Sequence, residues 1–141
     1  MLKYFSFNFN LALVKSEITV KQTDFVDKRS MWGQSPYSLN FGLFYFNPNW
    51  GTSFNLAYNT FGKRIVQVAS IHGYALDDPH IYELPRNLID FSISQKLAKN
   101  FQIKLAARNI LDAKTVWKQG DTEVANDILG VNYTFGIDFK F

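Results

Sequence analysis

The sequence predicts an all-β fold, an antiparallel up-and-down transmembrane β-barrel segment of about six strands that is incomplete as a barrel. Three observations predict it: apolar residues recur with a period of two in six runs, two of the connections are tight turns, and the other three are long and polar. The composition agrees. Among 141 residues there are 14 Phe, 7 Tyr and 3 Trp, and 47% of the chain is hydrophobic against 19% charged, which excludes a disordered chain. No cysteine is present, so disulfides, thiolate catalysis and cysteine-ligated zinc are excluded. The formal net charge of +3 is scattered along the chain without a basic block, so nucleic acid is not an expected partner.

From Phe5 to Leu13 the odd positions are Phe5, Phe7, Phe9, Leu11 and Leu13, with Ser6, Asn8, Asn10 and Ala12 between them. One wholly apolar face at period two is a strand. In residues 37–46 the pattern is less clean, with Leu39, Phe41, Leu43 and Tyr45 on one face and Ser38, Asn40 and Gly42 on the other, where Phe44 and Phe46 join them; next Phe54, Leu56 and Tyr58 stand opposite Asn55, Ala57 and Asn59. The fourth run sets Ile89, Phe91, Ile93 and Leu97 against Asp90, Ser92, Ser94 and Lys96, with Gln95 interrupting the apolar side. The fifth sets Phe101, Ile103, Leu105 and Ala107 against Gln102, Lys104, Ala106 and Arg108. The last is the most regular: Leu129, Val131, Tyr133, Phe135, Ile137, Phe139 and Phe141 alternate with Gly130, Asn132, Thr134, Gly136, Asp138 and Lys140. Helix needs apolar residues at i, i+3 and i+4, and these runs lack that spacing.

Asn47-Pro48-Asn49-Trp50 and Ala98-Lys99-Asn100 read as tight hairpin turns, whereas residues 15–36, 61–86 and 109–127 are long connections. Connections beyond about 12 to 15 residues are uncommon in a compact domain. An outer-membrane barrel accounts for them, with short turns at one rim and long loops outside the cell. On that reading the shared face of Asp90, Lys96, Lys104, Arg108, Asp138 and Lys140 is the lumen. Tyr45, Trp50, Phe101, Phe139 and Phe141 form one interfacial aromatic belt, and Tyr58, Phe61 and Tyr82 the other. No run of 18 apolar residues and no signal peptide is visible.

Several blocks carry a family resemblance. Arg29 followed by Gly33-Gln34-Ser35-Pro36-Tyr37, then Phe61-Gly62-Lys63-Arg64-Ile65, then Tyr82-Glu83-Leu84-Pro85-Arg86-Asn87-Leu88-Ile89-Asp90-Phe91-Ser92-Ile93-Ser94, and Lys104 onward to Asn109-Ile110-Leu111-Asp112 resemble the C-terminal end of TonB-dependent outer-membrane receptors of the Bacteroidetes type. The terminal GVNYTFGIDFKF is similar to the closing strand of such barrels. The resemblance covers about residues 25–141. It implies the wall and extracellular loops of a receptor that takes up large or chelated nutrients. Residues 1–141 would be the C-terminal strands of a partial barrel with no plug domain, a fragment without independent transport. The implied location is the outer membrane. The implied partners are outer-membrane lipid, the remaining strands and plug, and the barrel-assembly machinery, which would read the C-terminal strand. Two alternatives stand beside it: a small or oligomeric outer-membrane barrel acting as adhesin or passive pore, and a soluble β-domain that binds sugar or protein.

No residue is assigned to catalysis, to a cofactor or to a metal, and an enzyme is not expected. His72 and His80, with Asp77 and Asp78 between them, lie in a long connection without zinc-site spacing and read as a solvated loop. Ser35 beside Pro36 has no positioned base and reads as a strand-entry turn. Asp90, Arg108 and Asp138 read as structural ion pairs with neighbouring strands, and Trp32 and Trp117 as packed aromatics in two different loops. Asn132-Tyr133-Thr134 matches a glycosylation pattern inside a strand and is discounted.

Overall fold

All six alternating runs form strands, and the long connections form more. The computed structural model describes every residue except 1, 23, 24, 70, 73, 74 and 77. After a single 3-10 turn at Leu2–Tyr4 come β1 (Phe5–Leu13), β2 (Ile18–Gln22), β3 (Phe25–Arg29), β4 (Tyr37–Asn47), β5 (Thr52–Phe61), β6 (Arg64–Gln67), β7 (Ile71–His72) and β8 (Ala75–Leu76). The rest are β9 (Ile81–Glu83), β10 (Asn87–Ala98), β11 (Phe101–Arg108), β12 (Thr115–Gln119), β13 (Thr122–Asp127) and β14 (Asn132–Phe139).

The strands make four separate antiparallel sheets. The largest has six strands in the order β1-β4-β5-β10-β11-β14, a second has four in the order β13-β12-β9-β6, and β2-β3 and β7-β8 are two-stranded. The large sheet does not close, because β1 and β14 are its two ends and do not pair with each other. Its turns are built by local chemistry. Asn47 Oδ1 accepts the backbone N–H of Asn49 and of Trp50, which folds the β4–β5 turn, and Gly51 follows at φ +64°. A side chain at Gly51 would place its Cβ 2.6 Å from Cβ of Lys96 on β10, so only glycine fits there.

Register fixes the two faces of the large sheet. Phe7 stands opposite Leu43, Leu43 opposite Leu56, Leu56 opposite Phe91, and Phe91 opposite Ala107, which faces Tyr133. Paired residues share a face, so the alternating apolar positions of the six runs lie on one side, while Phe44 and Phe46 lie on the other. The other side carries Ser53 and Ser94 with hydroxyls 2.7 Å apart, Asn40 hydrogen-bonded to Asn59, and Lys104 Nζ 2.5 Å from Asp138 Oδ2.

The transmembrane-barrel expectation is overturned here. Four unclosed sheets replace a single curling wall, and the presumed extracellular loops hold the other eight strands, four of them joined in a sheet of their own. The physical reason is that a period of two reports only that one face of a strand meets apolar surroundings. It does not say whether lipid or protein supplies them. Three of the residues assigned to the aromatic belts make contacts within the protein. Tyr45 stacks on Phe54 at 5.1 Å within a ladder across the sheet, Phe61 lies beneath Arg64 and Arg86, and the Tyr82 ring lies 4.0 Å from Lys63 Nζ.

Candidate functional site

Three places in the molecule concentrate chemistry. The first is the apolar face of the large sheet. Phe5, Tyr45, Phe54 and Phe91 form a continuous aromatic ladder across β1, β4, β5 and β10, with successive ring centroids 4.9, 5.1 and 6.3 Å apart. Toward both edges the face is open: Phe9 is 67% exposed, Leu13 75% and Tyr133 78%. No Asp, Glu, Lys or Arg belongs to this face on any of the six strands, since Asp90, Lys96, Lys104, Arg108 and Asp138 all have the opposite register. Outside its own strands the large sheet meets the N-terminal turn at β4 and the Arg64 and Arg86 guanidinium groups at Phe61.

The second place is a buried polar cluster around Ile65, the one fully buried apolar side chain among the described residues. Arg64 on β6 faces Glu83 on β9 in register, with its Nε 2.8 Å and its Nη2 2.7 Å from the same carboxylate oxygen. Glu83 is 4% exposed, so this guanidinium is what makes burial of the carboxylate tolerable. The Arg64 and Arg86 guanidinium carbons lie 4.8 and 5.8 Å from the Phe61 ring, and Arg86 Nη1 donates to Thr115 Oγ1 at 2.6 Å. Beside them, Asp27 accepts from Arg29 Nε at 2.8 Å and lies 3.6 Å from His80 Nε2. His80 Nδ1 accepts the Ala69 N–H at 3.1 Å, which places the neutral imidazole's proton on Nε2, toward Asp27. Nδ1 thus ties His80 to the segment after β6, and the approach of Nε2 to Asp27 places the imidazole against the β2–β3 hairpin.

The third place lies on the charged face at the short-turn end of β10, β11 and β14. A cavity of about 520 Å³ is lined by Lys96, Lys99, Lys104 and Lys140, with Asp138 as its one carboxylate. Lys104 also borders a second cavity of about 330 Å³ farther along the same sheet.

The residues singled out from sequence distribute unevenly over these places. His80 is buried and hydrogen-bonded, which corrects its reading as part of a solvated loop; Asp78 is exposed, and Asp77 lies outside the described residues. His72 lies in β7, and its side chain is outside the described residues. Ser35 Oγ donates to the Gly62 carbonyl at 2.7 Å, in the strand-entry turn. Asp138 does pair with a neighbouring strand through Lys104, whereas Asp90 accepts the Asn109 N–H at 2.9 Å and so caps the turn after β11. Arg108 is exposed at the end of β11, opposite Asn132. Trp32 donates its ring N–H to the Val66 carbonyl at 2.8 Å, and Trp117 sits in β12, a strand where a loop was expected.

Sequence reasoning missed the Arg64–Glu83 and Asp27–His80 contacts because their partners are far apart in the chain; the first pair meets through β6–β9 pairing, and the second where the separate β2–β3 hairpin packs against His80. The lysine cavity was half visible, since Lys96, Lys104 and Lys140 had been placed on one face. Lys99, which comes from the turn, completes it.

No family model matches the chain, and no curated protein or solved structure matches it. The resemblance to TonB-dependent receptors therefore finds no match, and the open sheets contradict the barrel it implied. The nutrient-uptake role is withdrawn with it. So are the outer-membrane location and the lipid, plug and assembly-machinery partners, because each rested on the barrel. No helix of the described residues is long and apolar enough to cross a membrane.

Proposed function

We propose that this chain is a protein-binding β-domain without catalytic activity, which docks a partner on the uncharged face of its six-stranded sheet. The observation that carries this reading is the set of large apolar side chains left open on that face, with Phe7, Phe9 and Leu13 on β1 and Tyr133, Phe135 and Ile137 on β14 each more than half exposed. A compact monomer of 16.3 kDa exposes about 7,500 Å², and this chain exposes 9993 Å². The excess, roughly 2,500 Å² of polar and apolar surface together, belongs to the whole chain, and the open apolar face contributes part of it.

The chemistry of the face selects the partner class. A sugar needs convergent hydrogen-bonding groups, and Phe, Leu, Ile and Tyr side chains without a charge among them offer few. A second layer of protein, apolar on its inner side, is what such a sheet packs against. The aromatic ladder is held by its own stacking before the partner arrives, which limits the ordering cost of binding. The unpaired edges of β1 and β14 add free backbone donors and acceptors beside it.

Site-specific photo-crosslinking in the cell of origin tests the proposal. A crosslinking residue at Phe9 or Phe135 on the apolar face is expected to give a discrete protein adduct, and one at Ser6 or Thr134 on the opposite face is not. Equal adducts from both faces, or adducts only to lipid, would refute it.

A further inference from the structure

We propose that the lysine-lined cavity at the short-turn end of the large sheet binds a small polyanion, a ligand carrying two or more phosphate- or sulfate-type groups. The cavity lies on the face opposite the proposed protein-docking surface and is independent of it.

The charge distribution is the first argument. Lys96, Lys99, Lys104 and Lys140 line the cavity against Asp138 alone, a local excess of three positive charges. The whole chain has a formal net charge of +3, so the rest of the molecule balances to zero and its positive potential is concentrated at this cavity.

The backbone explains why the four lysines border one cavity. Lys96 on β10 pairs with Gln102 on β11, and Gln102 pairs with Asp138 on β14, so these three form one row across the sheet. Lys104 lies two residues along β11 from Gln102, and Lys140 two residues beyond Asp138, so both have the row's facing. Strand spacing of about 4.8 Å and a rise of about 3.3 Å per residue put the row and its neighbours within roughly 10 to 15 Å of one another. Lys99 enters from the two-residue turn between β10 and β11. The Lys140 N–H donates to the Asn100 carbonyl at 2.9 Å, which pins the end of β14 to that turn and holds the two sides of the cavity together.

Size and composition narrow the ligand. A volume of about 520 Å³ falls in the range of small-molecule sites, about 300 to 1,000 Å³, and suits a phosphorylated or sulfated metabolite better than a polymer. Lysine recognises oxyanions as a point charge without fixed geometry, and four of them match more than one oxyanion. Asp138 holds Lys104 at 2.5 Å and opposes anion binding by its own charge.

The test is calorimetric titration of the full chain with inorganic tripolyphosphate, fructose 1,6-bisphosphate, a disulfated disaccharide and a single-stranded oligonucleotide. Tripolyphosphate and at least one of the two organic ligands are expected to bind with one site per chain, weakening at least tenfold between about 20 and 200 mM salt. The phosphate and sulfate arms then tell the two sources apart. Lys96→Gln and Lys140→Gln are expected to weaken binding at least tenfold, while Lys28→Gln, on the distant β2–β3 hairpin, leaves it unchanged. Asp138→Asn is expected to tighten binding, the opposite sign from a change that merely loosens the sheet. Binding of the oligonucleotide alone, an equal loss in Lys28→Gln, weaker binding in Asp138→Asn, or no heat with tripolyphosphate would each overturn the proposal.

Discussion

In the four-stranded sheet Glu83 is buried against two nitrogens of Arg64, and Ile65 beside it is wholly enclosed. In the six-stranded sheet Tyr133 and Phe135 stand in the open at its edge, and the strands are joined chiefly by their backbone ladders. The small sheet satisfies its side chains internally, mixing ion pairs with a minimal apolar centre. The large sheet pairs the backbones of its inner strands, keeps only one neighbour for each of β1 and β14, and leaves an apolar face open. This contrast separates what holds the chain together from what it is available to bind.

Removing the guanidinium that neutralises Glu83 gives the largest expected effect on stability. Arg64→Ala leaves a carboxylate buried without its partner and is expected to cost about 3 kcal/mol, at the low end for a buried pair because Arg64 is itself partly exposed. Urea denaturation checks this. The double change Arg64→Met with Glu83→Leu is expected to restore most of the loss, and if it does not, the pair contributes more than charge neutralisation.

A second change acts where the two regions join. Gly62 donates its N–H to the Tyr37 carbonyl, accepts from Ser35, and would put a Cβ 2.7 Å from Pro36 Cγ and 2.9 Å from Tyr37 Cε1. Gly62→Ala is therefore expected to destabilise by about 2 kcal/mol through overpacking. Amide exchange would show the loss in both sheets if they unfold together, and in the small sheet alone if they are independent.

The smallest expected effect on stability belongs to the open face. Phe135→Ser is expected to change the unfolding free energy by less than about 0.5 kcal/mol, since the side chain is 62% exposed, while abolishing the protein adduct at neighbouring face positions. A cost above about 1 kcal/mol in the isolated chain would mean that the face is already covered and the contrast is wrong.

How legible each region was follows from how local its signals are. Every strand of the large sheet shows in the sequence, because alternation such as Phe5 to Leu13 or Tyr133 to Phe139 is written in consecutive residues. β6, β9 and β12 do not, because strands of three to five residues are too short to show a period. Asn109 illustrates the same limit. It adopts φ 54°, its side chain accepts the Ala113 N–H at 2.8 Å and donates to the Gly130 carbonyl at 3.0 Å, and nothing in its neighbours along the chain announces that role.

The sequence by itself determined the six long strands, their antiparallel hairpins and the separation of a charged face from an uncharged one, since each depends on residues one or two apart. Only the tertiary structure decided that the sheets stay open, that Arg64 meets Glu83 and Asp27 meets His80, and that four lysines from two strands, a turn and the chain's end share one cavity. Those outcomes depend on which strands pair across gaps in the chain and, for Asp27 and His80, on how a separate hairpin packs, and a period of two carries no information about either partner.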